Sequence, residues 1–374
     1  MIVMDIKLNN IFAFKNFHVN FSYPKKIVDT TIEYEFLSER ENFRYKKVNI
    51  IMGSNATGKT TLGKSLMSIF NFIQRDDPSD LKKFRAKDGD MDLSIDFVTH
   101  HSNKELCLFR VKIKVERNGE LDDIVTAAMN SEAIKPNDNY ETCSRRLDAK
   151  DYIFTKDTVS LFDDIYDIGW YYSDIRMNRI DSKNKIENSQ FMDILNIVMK
   201  VFDNSIKRVI SGEDNSYIVI EFNDDEVVLV KDGNVMGNRL RLSSGTLSSI
   251  GISEIIANII FRKNGFYFCD EKFSYVQSDL EKTILSIMIE ALGKDQQLFF
   301  TTHNTDILDM DLPKHSFHFM SKNSNNSECP IRLISASDYI KKRTQSLRNA
   351  VENDFFDTIP DDDELFDILD LINE

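Results

Sequence analysis

The run Gly53-Ser54-Asn55-Ala56-Thr57-Gly58-Lys59-Thr60 constrains this chain more than any other stretch of its 374 residues. It fits G-x-x-x-x-G-K-[ST] without departure. The apolar run 47–52 before it reads as a buried strand. The segment 60–75 after it reads as a helix, with Leu62, Leu66, Ile69, Phe70 and Ile73 on one face. A glycine loop at such a junction turns backbone N–H groups toward phosphates, and the helix N-terminus adds positive potential. Lys59 is then placed to reach β- and γ-phosphates, Thr60 to ligate Mg²⁺, and Thr61 to complete the pocket. The fold class that follows is α/β.

Composition removes other classes. Lys and Arg number 47 against 61 Asp and Glu, a net charge of −14, which argues against a globally basic nucleic-acid binder. No apolar run approaches the length of a membrane span, and the start of the chain lacks the apolar core of a signal peptide. We therefore expect a cytoplasmic protein with no membrane partner. The cysteines at 107, 143, 269 and 329 form no CxxC pair. His315 and His318 stand three apart in a stretch that alternates like a strand, which places them on opposite faces and disfavours a shared metal.

Three further motifs follow in order. Leu242-Ser243-Ser244-Gly245-Thr246 precedes an apolar helical run, so small hydroxyl residues and a glycine open a helix N-terminus. The strand in 266–270 ends in Asp270 and Glu271, at the edge where ligands bind in open α/β sheets. Asp270 is the candidate Mg²⁺ residue and Glu271 the candidate base that polarises water. A third apolar strand, 297–300, ends in Thr301-Thr302-His303, where His303 can contact a γ-phosphate. Taken singly, each of these three has an ordinary structural explanation.

In this order the four motifs resemble the ABC-type ATPases, in the branch shared by SMC, RecF and OLD-like proteins. The resemblance implies a head that binds ATP and Mg²⁺, with Lys59, Glu271 and His303 catalytic. It also implies that Ser243, Ser244, Gly245 and Thr246 complete the site of a second copy, giving an ATP-sandwiched dimer or higher homo-oligomer. The opening KLNNIFAFKNFHVNFS is similar to RecF- and OLD-like ATPases, although Phe12 stands where those relatives carry Arg. TTHNTDILD, the run from Thr344 and the run from Phe355 to Pro360 resemble compact bacterial defence ATPases of the RloA- and AbiL-like and PARIS types. Two departures stand out. The segment after Glu271 reads Lys272-Phe273-Ser274-Tyr275-Val276-Gln277, with Gln277 in place of the usual His. No Q-loop glutamine is evident, since Gln74 falls at the end of the first helix.

The expected organisation has an ATPase head split between 1–128 and 206–340. Residues 129–205 form a mostly helical insertion, with amphipathic stretches at 157–167 and 190–203. Residues 341–374 form a C-terminal segment with the acidic run Asp361 to Glu364. The span between Thr61 and Leu242 lacks heptads, so no long coiled coil is expected. The 71 residues after His303 leave no room for a TOPRIM nuclease, so a toxic effector is expected on a separate polypeptide, a nuclease or toxin. The reading that follows is an ATP-driven switch of an anti-phage system. A RecF-like DNA-repair ATPase is the alternative, with DNA as partner through the basic stretches at 44–47, 82–87 and 341–343. A slowly hydrolysing scaffold is a third.

Overall fold

The computed structural model describes residues 1–27, 30–87, 89–118, 122–158, 160–177, 189–212, 217–231, 233–323, 325–340 and 345–358. At its centre lies a six-stranded sheet in the order Ile331–Ser335, Phe317–Lys322, Val48–Met52, Gln297–Thr301, Phe266–Asp270, Trp170–Asp174. All neighbours pair in parallel except the Ile331–Ser335 edge. The middle strands are buried on both faces, so they read as continuous apolar runs rather than alternating ones.

Adjacent residues on each strand serve different cores. Ile51, Phe299, Phe266 and Phe268 face the phosphate-loop helix Lys59–Arg75. Ile50, Leu298, Phe300, Tyr267 and Cys269 face the helices Ser244–Ile260 and Ser278–Ala291. Gly63 lets the loop helix settle on the sheet, because a Cβ there would lie 2.5 Å from the Phe268 ring. The helix's other side packs on a five-stranded antiparallel sheet, ordered Phe17–Asn20, Ile2–Asn9, Met91–His100, Leu106–Glu116, Ile124–Ala133. The helix is therefore held between two sheets. The α/β class is as expected, the antiparallel sheet forms a lobe on the far side of the helix, and no long coiled coil occurs among the described residues.

The expectation of a mostly helical 129–205 is corrected. Among the described residues only Tyr140–Asp148 and Ser189–Phe202 are helical there, and Trp170–Asp174 is the edge strand of the central sheet. The described part of 157–167 forms turns. Phe162 packs edge-on to Phe72, and the Tyr166 N–H donates to His100 O at 3.0 Å, so the strand beside it sets its path. The helix Ser189–Phe202 covers a second antiparallel sheet of four strands, Ile206–Ser211, Ile218–Phe222, Val227–Lys231 and Asn234–Met236. The helix Ser244–Ile260 is buried on nearly every side because it feeds two cores: Ile252 and Ile255 face the central sheet, Ile250 and Ala257 the four-stranded one.

The expected strand through both histidines also needs correction. His315 lies in the 3₁₀ turn Lys314–Ser316, and the strand begins at Phe317. Each histidine is buried with its own partner, His315 Nε2 at 2.6 Å from Glu35 and His318 Nε2 at 2.9 Å from Asn49. The acidic run 361–364 and the basic run 341–343 lie outside the described residues.

Candidate functional site

Three adjacent parallel strands deliver the site at their C-terminal ends. Val48–Met52 runs into the loop 53–58, Phe266–Asp270 into Glu271, and Gln297–Thr301 into His303. The loop's shape depends on its glycines. A Cβ at Gly53 would sit 2.2 Å from the Met320 carbonyl, and Gly58, which opens the helix, has φ 111°. Thr57 Oγ1 donates to Ser54 O at 2.9 Å and staples the loop, while Asn55 and Ala56 are exposed at its tip. Thr60 and Thr61 open the first helical turn, and the Thr61 carbonyl accepts from Ser65 Oγ at 2.7 Å.

Lys59 is 3% exposed. Its ammonium donates to Gly53 O at 2.8 Å and Ser54 O at 3.1 Å, and lies 3.4 Å from Glu271 Oε1. Burial lowers its pKa, and the nearby Glu271 partly offsets that. Asp270 is buried. Its Oδ1 accepts from the Thr301 hydroxyl at 2.9 Å and its Oδ2 from the Tyr172 hydroxyl at 3.1 Å, with the Thr60 hydroxyl beside it. Burial pushes its carboxyl up, against these three hydrogen bonds. Glu271 adopts a left-handed backbone, φ 47°, and its N–H donates to Thr301 Oγ1 at 2.9 Å. His303 Nε2 lies 2.8 Å from Glu271 Oε1, and that bond, together with Lys59 and against partial burial, holds the carboxylate below its usual range. A cavity of about 310 Å³ opens beside Glu271, Ser274, Thr302 and His303.

Lys59, Thr60, Asp270, Glu271 and His303 thus meet in one place. The oxygens of Thr60 and Asp270 are hard donors of the kind Mg²⁺ accepts, and a cation bridging nucleotide phosphates needs only one or two from the protein. Among the described residues no cluster of three or more His, Cys, Asp or Glu side chains could hold a metal unaided.

The segment 243–246 stands apart and bonds within itself. Ser243 Oγ caps the helix by accepting from Thr246 N at 3.0 Å. Ser243 and Ser244 are exposed, and Gly245 lies close to the segment that follows Glu271, where a Cβ would be 3.3 Å from Tyr275 O. Thr246 is 1% exposed and its hydroxyl bonds back to Ser243, so its side chain belongs to the cap rather than to the exposed rim.

Sequence reading missed Tyr172, because the short aromatic run 170–172 sat inside an expected helical block. The aromatic enrichment next to Gly169 was the available signal. Gln74 lies at the far end of the loop helix, bonded to Ile168 O and to the Trp170 indole at 3.0 Å. Two of the three basic stretches are not free surface. Lys46 and Lys47 are buried, and Lys47 donates to Glu33 O and Leu292 O. Lys82, Lys83 and Arg85 pair with Asp122, Asp80 and Asp123.

No protein-family model matches the sequence, and no curated protein matches it. Solved structures do. An Smc head domain bound to the C-winged helix domain of ScpA shares 14% identity, covers 91% of this chain and 100% of its own, and has a TM-score of 0.51. The Pyrococcus furiosus Smc head with an extended coiled coil, bound to the C-terminal domain of ScpA, shares 12% identity over 91% of this chain and 98% of its own, also at 0.51. A RecF structure with ATPrS aligns over 85% of this chain and 95% of its own at 11% identity, with a TM-score of 0.37, too low to carry weight here. Among the described residues no helix is long and apolar enough to cross a membrane. At these identities the likeness is one of architecture, and the chain has the α/β fold of an SMC-type head.

Proposed function

We propose that this chain binds and hydrolyses ATP with Mg²⁺ and works as a switch that dimerises around the nucleotide. One observation carries the reading: Lys59, Thr60, Asp270, Glu271 and His303 converge at the edge of three adjacent parallel strands, beside a glycine loop that opens a helix. In this reading Lys59 meets the β/γ-phosphates, while Thr60 and Asp270 hold Mg²⁺. Glu271, ionised at neutral pH, orients the attacking water. His303 bonds to the same carboxylate oxygen and so couples that water's base to the γ-phosphate position. The exposed rim of Ser243, Ser244 and Gly245 faces the nucleotide of a second copy. The sequence resemblance to compact defence ATPases supports a role in anti-phage defence, with the toxic chemistry on a separate effector. The helix Ser189–Phe202 and its four-stranded sheet are then the module that senses the trigger.

Glu271→Gln tests the centre. It keeps size and hydrogen bonding but removes the charge. The variant should bind Mg·ATP, lose turnover by about 10²-fold or more, and accumulate as a dimer by light scattering. Turnover equal to wild type would refute the assignment.

A further inference from the structure

Directly after Glu271 comes Lys272, a lysine with no exposed surface. Its ammonium donates to the carbonyl oxygens of Asp174 at 3.0 Å and Met177 at 2.6 Å. Those carbonyls close the turn that ends the edge strand Trp170–Asp174. Asp174 Oδ1 shapes the same turn by accepting from the N–H groups of Arg176 at 2.9 Å and Met177 at 3.2 Å. The ammonium is seated against Gly251 of the helix Ser244–Ile260. A Cβ there would lie 2.2 Å from Met177 O and 2.4 Å from Lys272 Nζ. One side chain therefore joins the turn bearing Glu271, the end of the edge strand and the helix that carries the 243–246 segment.

Burying an ammonium is unfavourable, and burial brings the Lys272 pKa down to about 8. An apolar side chain would fill the same space without that cost. What the ammonium supplies is directed bonds to backbone carbonyls at the end of the neighbouring strand and in the turn that follows it. Their effect bears on Glu271, whose left-handed backbone is uncommon outside glycine and persists only where surroundings fix it. Thr301 holds its N–H, and Ser274 donates to its carbonyl through Oγ at 2.8 Å and N–H at 3.2 Å. Lys272 ties the next residue to a third element.

We propose that Lys272 is a positioning residue for the hydrolytic centre, holding the Glu271 turn in register with the edge strand and the helix Ser244–Ile260. It acts through Glu271 and contacts no phosphate. The proposal rests on the reading of this site as an ATPase centre.

The test uses the full chain as wild type, Glu271→Gln, Lys272→Met, Gly251→Ala and the last two combined. Each is measured for ATP turnover and for affinity by titration with a fluorescent ATP analogue. Lys272→Met should lower kcat about tenfold or more while affinity changes less than about twofold, since the phosphate loop is untouched. Gly251→Ala, which adds one methyl group against both the Met177 carbonyl and the ammonium it accepts from, should show the same split. The double variant should be no slower than the slower single, because both disturb one contact. Wild-type turnover in Lys272→Met, equal loss of turnover and affinity, or multiplied losses in the double variant would each overturn the proposal. If Lys272→Met does not fold, the split in Gly251→Ala decides alone. If wild type shows no turnover, or Glu271→Gln matches it, the ATPase reading itself fails and takes this proposal with it. If only the Lys272 and Gly251 variants behave as wild type, the positioning role fails alone.

Discussion

Thr301→Val removes one hydroxyl at nearly constant volume, from a side chain that is 1% exposed. That hydroxyl accepts from the Glu271 N–H and donates to Asp270 Oδ1, both at 2.9 Å. Valine leaves a backbone N–H and a carboxylate oxygen each short of a partner, while Asp270 keeps the Tyr172 hydroxyl on its other oxygen. Each buried group left unpaired costs about 1–3 kcal/mol, and the added methyl returns somewhat less than about 1 kcal/mol. The net loss is about 3 kcal/mol. At about 2.1 cal/mol/K of unfolding entropy per residue, that lowers the Tm of a cooperatively unfolding chain of this length by about 4 °C. Turnover should fall about 10–100-fold on the proposed reading, because the same hydroxyl orients both Asp270, proposed to hold the metal, and Glu271, the proposed base. Calorimetry and a phosphate-release assay read the two effects, and Thr301→Ser, which keeps the hydroxyl, should recover most of both. A Tm within about 1 °C of wild type would refute the hydrogen-bond accounting. Full stability loss with unchanged turnover would refute the link from Thr301 to the chemistry.

Two other outcomes are expected. Lys59→Ala deletes an ammonium whose charge-assisted bonds are worth about 1.5–3 kcal/mol, so affinity for a fluorescent ATP analogue should drop roughly 10–100-fold with the fold intact by circular dichroism; normal affinity would contradict the phosphate-site assignment. Burial holds the His318 imidazole well below its ordinary pKa, with Lys46 and His315 adding to the effect. The unfolded chain takes up a proton near pH 6.5 that the folded chain refuses, so stability falls as pH drops below that value, by up to about 1.4 kcal/mol per unit. His318→Gln, which can still donate to Asn49, should show a smaller loss of urea midpoint between pH 7.5 and 5.5; an unchanged loss would place the acid sensitivity elsewhere.

The phosphate loop, the Asp270-Glu271 strand end and His303 were legible in the sequence because each is a short apolar strand running straight into its polar residues. Local pattern suffices there. Tyr172 was not legible. Its partner Asp270 is distant in the chain, and the strand Trp170–Asp174 exists only by pairing in register with Phe266–Asp270. The run 44–47 misled for a different reason. Nothing local reveals that Lys47 threads its stem inward to reach the carbonyls of Glu33 and Leu292. Likewise the pattern around 315–318 alternates well enough for a strand, yet the contact between His315 and Glu35 falls on a turn.

The strand order of the central sheet has a consequence for how the molecule is made. Val48–Met52 lies between Gln297–Thr301 and Phe317–Lys322, so the strand that launches the phosphate loop has neither neighbour until Gln297 and the residues after it have been synthesised. At ribosomal speeds of about 5–20 residues per second, Ile50 and Ile51 wait roughly ten to fifty seconds for the strands that bury them. The antiparallel sheet differs, since the strands Met91–His100, Leu106–Glu116 and Ile124–Ala133 pair with their sequence neighbours and can close early. A ribosome-bound fragment ending before residue 297 would therefore carry the whole phosphate-loop sequence on an unpaired apolar strand. Nucleotide capture, on the proposed reading, would begin only once the strand bearing Thr301 has docked beside it, which ties assembly of the site to the arrival of a strand far downstream in the chain.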